Sequence, residues 1–255
     1  MIVAGIDMGT IAVKTVVFEN HQIKSSGISV CGEEGEAGAF DALSTALDEV
    51  NLSLADITRI VATGTGKESA TFAQKQKSLP ACLAKGLNWL YPEAEAVIDI
   101  GALSTTVVKI GQQGRAIDFL SNDVCASGSG IFLETMAKAM RVPIEDMPAL
   151  SEQAKNAPQI SNTCVVFAES EVVSLVHKGV AKNDIIAGLH RSIADRIFGL
   201  TQKMRLGRNI VICGGVARNT AILKAFESRI GCSLIVPNEP QHVAALGAAL
   251  FAEQQ

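Results

Sequence analysis

The chain has 255 residues, of which 48% are hydrophobic and only 4% aromatic, so its core must consist mainly of aliphatic side chains. A net charge of −4 provides no basic excess for neutralising a phosphate backbone, which argues against nucleic acid as a partner. The longest apolar run, near Val243 to Ala252, is too short to span a bilayer, and no export signal precedes the first apolar strand. We therefore expect a cytoplasmic protein that has no membrane partner.

The predicted elements alternate between strands and helices, which is typical of an α/β protein. In the first half the patterns predict three strands over 1–30, a helix over 38–51, a strand over 57–63 and a helix over 79–91. In the second half they predict three strands over about 95–121, four helices between 128 and 207, a strand over 209–213, a helix over 218–229, a strand over 233–236 and a helix over 241–253. No low-complexity linker separates the halves. We expect two tightly joined lobes, residues 1–93 plus 243–255 and residues 94–242.

An internal repeat is the most informative feature of the sequence. The segment Ile6-Asp7-Met8-Gly9 returns as Ile98-Asp99-Ile100-Gly101, and each copy continues into a strand-rich stretch that contains a polar turn. Such a strand, ending in Asp-x-Gly and followed by two further strands, can place a carboxylate and a flexible backbone beside a phosphate. Two copies in one chain predict two similar lobes that face a shared nucleotide.

The residues around the repeat suit a nucleotide site. Asp7 and Asp99 are expected where open α/β sheets bind ligands, and two such carboxylates can hold Mg²⁺ through water and orient an attacking water. Around them we expect phosphate contacts from the backbone of Gly9, Thr10, Gly101 and Ala102, from the Thr10 hydroxyl and from the Lys14 ammonium, and adenosine contacts from Gly214, Gly215 and Val216. The simpler alternative is that the glycines only form hairpin turns and that the aspartates are solvated turn residues with no ligand. This alternative requires the two Asp-x-Gly motifs and the Gly214-Gly215 motif to occur in this order by coincidence.

The six cysteines fall into two groups. Cys82 and Cys213 lie in apolar patterns and Cys31 and Cys232 near turns, so all four are expected to be structural. Cys125 and Cys164 each stand before a predicted helix, where the helix dipole stabilises a thiolate. This pattern is compatible with a reactive thiol, a metal ligand or a structural residue. Two thiolates are too few for a four-cysteine iron–sulfur cluster, but a two-fold homodimer would supply four.

The order of motifs resembles the superfamily of acetate and sugar kinases, heat-shock chaperones and actin. Its first phosphate motif is similar to Asp7–Thr10, its second to Asp99–Gly101 and its adenosine motif to Gly214–Ala217. The resemblance implies an α/β fold of two ribonuclease-H-like lobes, with a helical insertion in the second lobe, that close on MgATP. It also implies that the last helix, which begins near His242, crosses back to the first lobe.

The cysteine segments indicate one branch of that superfamily. NDVCASGSGIFLETMA and SNTCVVFAESEV resemble the cluster-binding segments of the activators of 2-hydroxyacyl-CoA dehydratases and of the ATP-binding subunits of benzoyl-CoA reductases. The resemblance implies an anaerobic homodimer bridged by one [4Fe–4S] cluster, with Cys125 and Cys164 of each chain as ligands. It further implies that ATP hydrolysis drives low-potential electron transfer to an iron–sulfur dehydratase or reductase component. A reduced ferredoxin or flavodoxin would supply the electron.

One departure from the branch concerns the second phosphate motif. Dehydratase activators continue it as D-I-G-G-Q-D, whereas this chain continues as Asp99-Ile100-Gly101-Ala102-Leu103-Ser104, so Asp7 and Asp99 are the obvious candidates to orient water. Two alternatives remain open. A small-molecule kinase of the same superfamily would use Asp99 as general base but would have no use for the Cys125/Cys164 pair. The other alternative is a non-enzymatic, ATP-dependent regulator or assembly protein.

Overall fold

The computed structural model describes residues 1–32, 35–122, 129–161 and 164–254. Its strands are β1 (Ile2–Met8), β2 (Ala12–Glu19), β3 (Gln22–Val30), β4 (Arg59–Thr63), β5 (Lys75–Gln76), β6 (Ala96–Ile100), β7 (Thr105–Ile110), β8 (Ala116–Ser121) and β9 (Ile210–Cys213). Its α-helices are α1 (Gly35–Glu49), α2 (Leu79–Leu90), α3 (Gly130–Met140), α4 (Met147–Glu152), α5 (Val165–His177), α6 (Lys182–Gln202), α7 (Thr220–Ile230) and α8 (Val243–Glu253). The predicted α/β class is confirmed.

The strands form two sheets that share one order over four strands. The first sheet has the order β3-β2-β1-β4-β5 and the second has the order β8-β7-β6-β9. In each case the strand that carries the repeated aspartate lies between its own hairpin partner and a strand from later in the chain. In the first sheet β1 is antiparallel to β2 and parallel to β4, so the ends of β1 and β4 meet at one edge. The internal sequence repeat is therefore a structural repeat.

The chain divides into two compact units. The first comprises Met1–Val97, Val108–Phe119 and Pro237–Gln255, and the second comprises Ile98–Val107 and Leu120–Val236. In the described part of the chain, no helix is both long and apolar enough to cross a membrane.

In the first unit, helices cover both faces of the β3-β2-β1-β4-β5 sheet. The alanine-rich face of α1 packs on one side, and α8, which is buried along almost its whole length, packs on the other. The close approach of α8 requires glycine at two contact points, because a Cβ atom on Gly5 would lie 2.0 Å from the Ala245 carbonyl oxygen and one on Gly247 would lie 1.8 Å from that of Cys82. These glycines thus allow α8 to pack closely on the sheet, and the core is mainly aliphatic, as the composition predicted.

In the second unit, α6 is the central helix. It buries an aliphatic stripe formed by Ile185, Ile186, Leu189, Ile193 and Ile197, and it packs against α4 and α7. The predicted helix-rich insertion between 128 and 207 corresponds to α3, α4, α5 and α6. The strand predicted over 233–236 is reduced to a single bridge between Ile235 and Val211.

Candidate functional site

The first aspartate turn brings a carboxylate and an ammonium group together. Asp7 is the penultimate residue of β1, only 8% exposed, and its register partner on β2 is Lys14. The Lys14 Nζ atom lies 3.5 Å from Asp7 Oδ2. Gly9 makes room for this pair, since a Cβ atom at that position would lie 2.8 Å from Lys14 Nζ. The predicted Asp7, Gly9 and Lys14 are therefore neighbours, and Thr10 is exposed beside them.

A glycine-rich turn that the site prediction did not include also contacts Asp7. This turn, Thr63-Gly64-Thr65-Gly66-Lys67, leaves β4, the parallel neighbour of β1. The N–H of Gly66 donates a hydrogen bond to the Met8 carbonyl oxygen at 3.0 Å. Its glycine pattern was visible in the sequence, but its contact with Asp7 depends on the β1–β4 pairing.

The second aspartate turn has a different environment. Asp99 is half-buried near the end of β6, and its Oδ1 accepts a hydrogen bond from the Cys213 thiol at 3.5 Å. The N–H of Gly101 donates to the Ser104 carbonyl oxygen at 2.8 Å and so closes a tight turn over Ala102 and Leu103. The Gly101 amide is thus engaged within the turn itself.

The same turn holds the start of a helix. The N–H groups of Gly130 and Ile131, the first two residues of α3, donate to the carbonyl oxygens of Gly101 and Ala102, each at 3.0 Å. Helix N-termini have unpaired amides that need such acceptors. Residues 123–128, which include the predicted ligand Cys125, lie outside the described residues.

The predicted adenosine motif follows β9. Gly214 has φ +86° and precedes a 3₁₀ turn over Gly215–Arg218, in which Val216 is buried. Helix α7 begins after Asn219, whose Oδ1 accepts a hydrogen bond from the Ile222 N–H at 3.1 Å. The motif therefore ends in a capped helix N-terminus, an element that can face phosphate.

A buried histidine supports that cap. His190 of α6 lies with its Nε2 3.2 Å from Asn219 Nδ2, and burial lowers the pKa of His190 to about 4. Because the Asn219 oxygen already accepts from Ile222, its NH₂ group faces His190, so His190 Nε2 must be the acceptor and the ring is neutral. Sequence reasoning missed His190 and Asn219, since no local pattern connects residues on two different helices.

Cys164 occupies the N-cap position of α5. It is half-buried, and its backbone carbonyl accepts a hydrogen bond from Ala168 at 3.1 Å. Helix α5 also accepts a hydrogen bond at Glu171, whose Oε2 lies 2.7 Å from the N–H of Ser161. A half-buried thiol at a helix N-terminus is a suitable thiolate ligand, because the dipole favours negative charge there.

The other described cysteines have no comparable placement. Cys82 and Cys213 are fully buried, as predicted, and Cys31 and Cys232 are half-buried near turns. Burial raises the pKa of the Cys82 thiol to about 12, so this thiol stays protonated at neutral pH.

The described residues fit the two groups that the sequence implies. Proteins usually hold Mg²⁺ through one or two carboxylates together with substrate phosphates and waters, and the carboxylate of Asp7 stands beside a glycine turn suited to phosphate. Cysteine sulfur is the usual ligand of iron–sulfur clusters, and Cys164 places a half-buried sulfur atom at a helix N-terminus. Within the described ranges, no three His, Cys, Asp or Glu side chains form a metal-binding group.

The chain is similar to a known family along nearly its full length. Residues 4–252 match the BadF/BadG/BcrA/BcrD ATPase family. The chain is 38% identical over 252 residues to the 2-hydroxyisocaproyl-CoA dehydratase activator of Clostridioides difficile, covering 99% of this chain and 95% of that protein. It is 33% identical over 261 residues to one of the subunits of benzoyl-CoA reductase from Thauera aromatica, covering 98% and 92% of the two chains.

Solved structures show the same relationship. The activator of the 2-hydroxyisocaproyl-CoA dehydratase from Clostridium difficile with bound ADPNP superposes with a TM-score of 0.94 at 39% identity, covering 100% of this chain and 95% of that one. A ROK-family glucokinase from Streptomyces griseus, covering 100% of both chains, has a TM-score of 0.62 at 13% identity. That second similarity indicates a shared fold only.

Proposed function

Because the chain belongs to the BadF/BadG/BcrA/BcrD ATPase family, we propose that it is an ATP-hydrolysing iron–sulfur electron donor for a partner CoA-ester dehydratase or reductase. One observation carries the proposal. The Gly101–Ala102 turn, which we assign to nucleotide phosphate, also accepts the first two amide hydrogen bonds of α3, the helix that follows the Cys125 segment. A shift of that turn on ATP hydrolysis would therefore move the helix beside a cluster ligand.

For the nucleotide half of the site, each residue has a role that its surroundings support. Asp7 binds Mg²⁺ through water, and Lys14, now 3.5 Å from that carboxylate, turns to the phosphates. Asp99 orients the attacking water. The proposed phosphate contacts are Gly9, Thr10, Gly101 and Ala102. The Gly101 amide is hydrogen-bonded to Ser104, so Gly101 contributes by closing the turn that faces the phosphate. The proposed adenosine contacts are Gly214, Gly215 and Val216.

We also propose that the two lobes, residues 1–93 plus 243–255 and residues 94–242, close on MgATP. Exclusion of water by closure would strengthen the electrostatic contacts to phosphate.

For the electron-transfer half, Cys125 and Cys164 of two chains would hold one [4Fe–4S] cluster on the two-fold axis of a homodimer. When bound, this cluster supplies the one-electron chemistry. The amides at the start of α5 stabilise negative charge beside Cys164. Directly after Cys164, helix α5 carries two exposed apolar residues, Val166 (65% exposed) and Phe167 (62% exposed). A second copy of the chain would cover these side chains.

The partner is either a dehydratase or a reductase component, since the chain is similar to proteins that serve each. A reduced ferredoxin or flavodoxin is the proposed upstream donor. The kinase alternative has support only from the fold, at 13% identity to the glucokinase.

Iron and sulfide analysis of anaerobically purified protein tests this function. We expect about two iron and two sulfide ions per chain, which corresponds to one four-iron cluster per dimer. Cys164→Ala should lose them, since one pair of thiolate ligands disappears. Cys232→Ala, which removes another half-buried thiol, is the matched control and should retain them. Wild-type protein that stays iron-free after reconstitution would contradict the proposal.

A further inference from the structure

Each of the two aspartates, Asp7 and Asp99, lies close to a glycine in the turn that follows the neighbouring strand. In the first unit this glycine is Gly64, with φ +93°, directly after β4. A Cβ atom built on Gly64 would lie 2.6 Å from Asp7 Oδ1 and 2.5 Å from the Met8 carbonyl oxygen. Gly64 is therefore in direct contact with the carboxylate that we assign to Mg²⁺.

The second unit repeats this contact almost atom for atom. Gly214, with φ +86°, comes directly after β9. A Cβ atom built on Gly214 would lie 2.8 Å from Asp99 Oδ1 and 2.4 Å from the Ile100 carbonyl oxygen. In both units the contacted atoms are the aspartate oxygen and the carbonyl of the residue that follows it.

The similarity extends beyond the glycines. A 3₁₀ turn follows each of them, over Lys67–Ser69 in the first unit and Gly215–Arg218 in the second. The turn over 63–67, to which no motif assigns a role, is thus the first unit's counterpart of the adenosine turn over 213–218. Agreement of backbone angle, contacted atoms and following element at two separate places argues for a shared purpose.

We propose that Gly64 and Gly214 are positioning residues that fix the carboxylates of Asp7 and Asp99. A side chain at either position would push the carboxylate away from the turn, and both backbones adopt angles that other residues rarely accept. For Gly214 this role is additional to close approach of the nucleotide. The inference rests on the proposed function, because it assumes that these two carboxylates serve the nucleotide.

A double-mutant cycle on Gly64 and Asp7 tests the first-unit half. The readout is equilibrium binding of a fluorescent ATP analogue with and without Mg²⁺. Gly64→Ala should reduce the Mg²⁺-dependent part of the affinity by about tenfold, the scale for losing support of a metal ligand. In an Asp7→Ala background the same glycine substitution should have no further effect, because the residue that it positions is gone.

Gly231→Ala is the control for backbone strain. Gly231 has φ +75° with nothing within 4 Å of its virtual Cβ, so this variant carries a similar strain without touching a carboxylate. It should bind nucleotide with wild-type Mg²⁺ dependence. If Gly64→Ala fails to fold, Gly214→Ala takes its place, with Asp99→Asn as the background. The readout is then phosphate release at saturating ATP, because Gly214 is itself assigned to adenosine contact, and a further slowing in the double variant would overturn the inference.

The outcomes separate the inference from the function on which it rests. Wild-type Mg²⁺ dependence in Gly64→Ala, or a further loss in the double variant, overturns the inference alone. Wild-type Mg²⁺ dependence in Asp7→Ala overturns the proposed role of Asp7 and the inference with it.

Discussion

At the residue scale, the two repeated aspartates have different neighbours and so suit different tasks. Asp7 is buried and its carboxylate faces the ammonium group of Lys14. When MgATP binds, Mg²⁺ can replace Lys14 as the partner of Asp7, and Lys14 can pair with the phosphates. Asp99 is half-buried, and its Oδ1 accepts a hydrogen bond from the Cys213 thiol, an uncharged and weak donor. This difference supports Mg²⁺ binding by Asp7 and water orientation by Asp99.

The first prediction concerns Asp99. Asp99→Asn should bind ATP nearly as well as the wild type but release phosphate about a hundredfold more slowly, because an amide is a poorer acceptor for the attacking water's proton. Asp118→Asn is the control, since it removes the same charge from an exposed residue of β8. Binding and phosphate release are measured on the same anaerobic samples, and an Asp99→Asn variant that hydrolyses ATP at the wild-type rate would refute the assignment.

The sequence predicted Asp7 and Asp99 because their signal is local: an apolar strand, an acid and a glycine within four residues. Gly64 could not be assigned in this way. Its role depends on β4 lying parallel to β1, with Asp7 opposite Thr63, a residue that lies 56 positions further along the chain.

At the element scale, the start of α7 depends on a contact between two helices. Asn219 caps α7 through its side-chain oxygen and uses its NH₂ group on His190 of α6. A protonated His190 would bring N–H against N–H, so the contact requires a neutral ring. The helix that follows the adenosine motif is thus fixed by a histidine that stays uncharged.

The second prediction is a pH dependence of stability. His190 has a folded-state pKa of about 4, below its ordinary value of 6.5, so the unfolded chain takes up a proton before the folded chain does. The contribution of His190 to stability is therefore fully present above about pH 6.5 and is lost as pH falls towards 4, by on the order of 3 kcal/mol. His190→Phe should flatten this part of the pH profile, measured by urea unfolding between pH 4 and 7, whereas His177→Phe, on an exposed residue of α5, should not. An unchanged profile in His190→Phe would contradict the buried neutral histidine.

Most predicted elements agree with the structure, and the exceptions have physical causes. The strand predicted over 233–236 pairs only at Ile235, because Leu234 donates its N–H to Glu227 Oε1 at 2.9 Å and Pro237 has no N–H to extend a ladder. The apolar residues of that segment indicated a strand, but the sequence pattern cannot show where the backbone hydrogen bonds go.

At the scale of the whole molecule, the two sheets repeat one order over four strands, but the segments that follow them in the chain differ. Both Cys164 and the start of α3 belong to the second unit, the same unit that carries Asp99 and the proposed adenosine motif. The predicted repeat therefore accounts for the two aspartate turns. The cysteine assignments depend on family resemblance, since Cys125 lies outside the described residues and the described residues form no metal-binding group.

A nucleotide can drive the proposed electron transfer only if its ATP and ADP forms stabilise different states of the protein. Any conformational shift is limited by the difference in affinity that the ligand has for the two states. The Gly101–Ala102 turn is the element through which that difference would reach α3, by the hydrogen bonds from Gly130 and Ile131. Partner binding should accordingly be tighter with an ATP analogue than with ADP.

The central claim, that nucleotide state acts on an iron–sulfur centre, is tested most directly by electron paramagnetic resonance of the anaerobic, dithionite-reduced dimer. Spectra are compared with Mg²⁺ and a non-hydrolysable ATP analogue, with MgADP, and without nucleotide. We predict a reduced-cluster signal in all three samples, with a line shape in the ATP-analogue sample that differs from the other two. Absence of a cluster signal, or identical spectra in all three samples when nucleotide binding has been verified, would contradict the account.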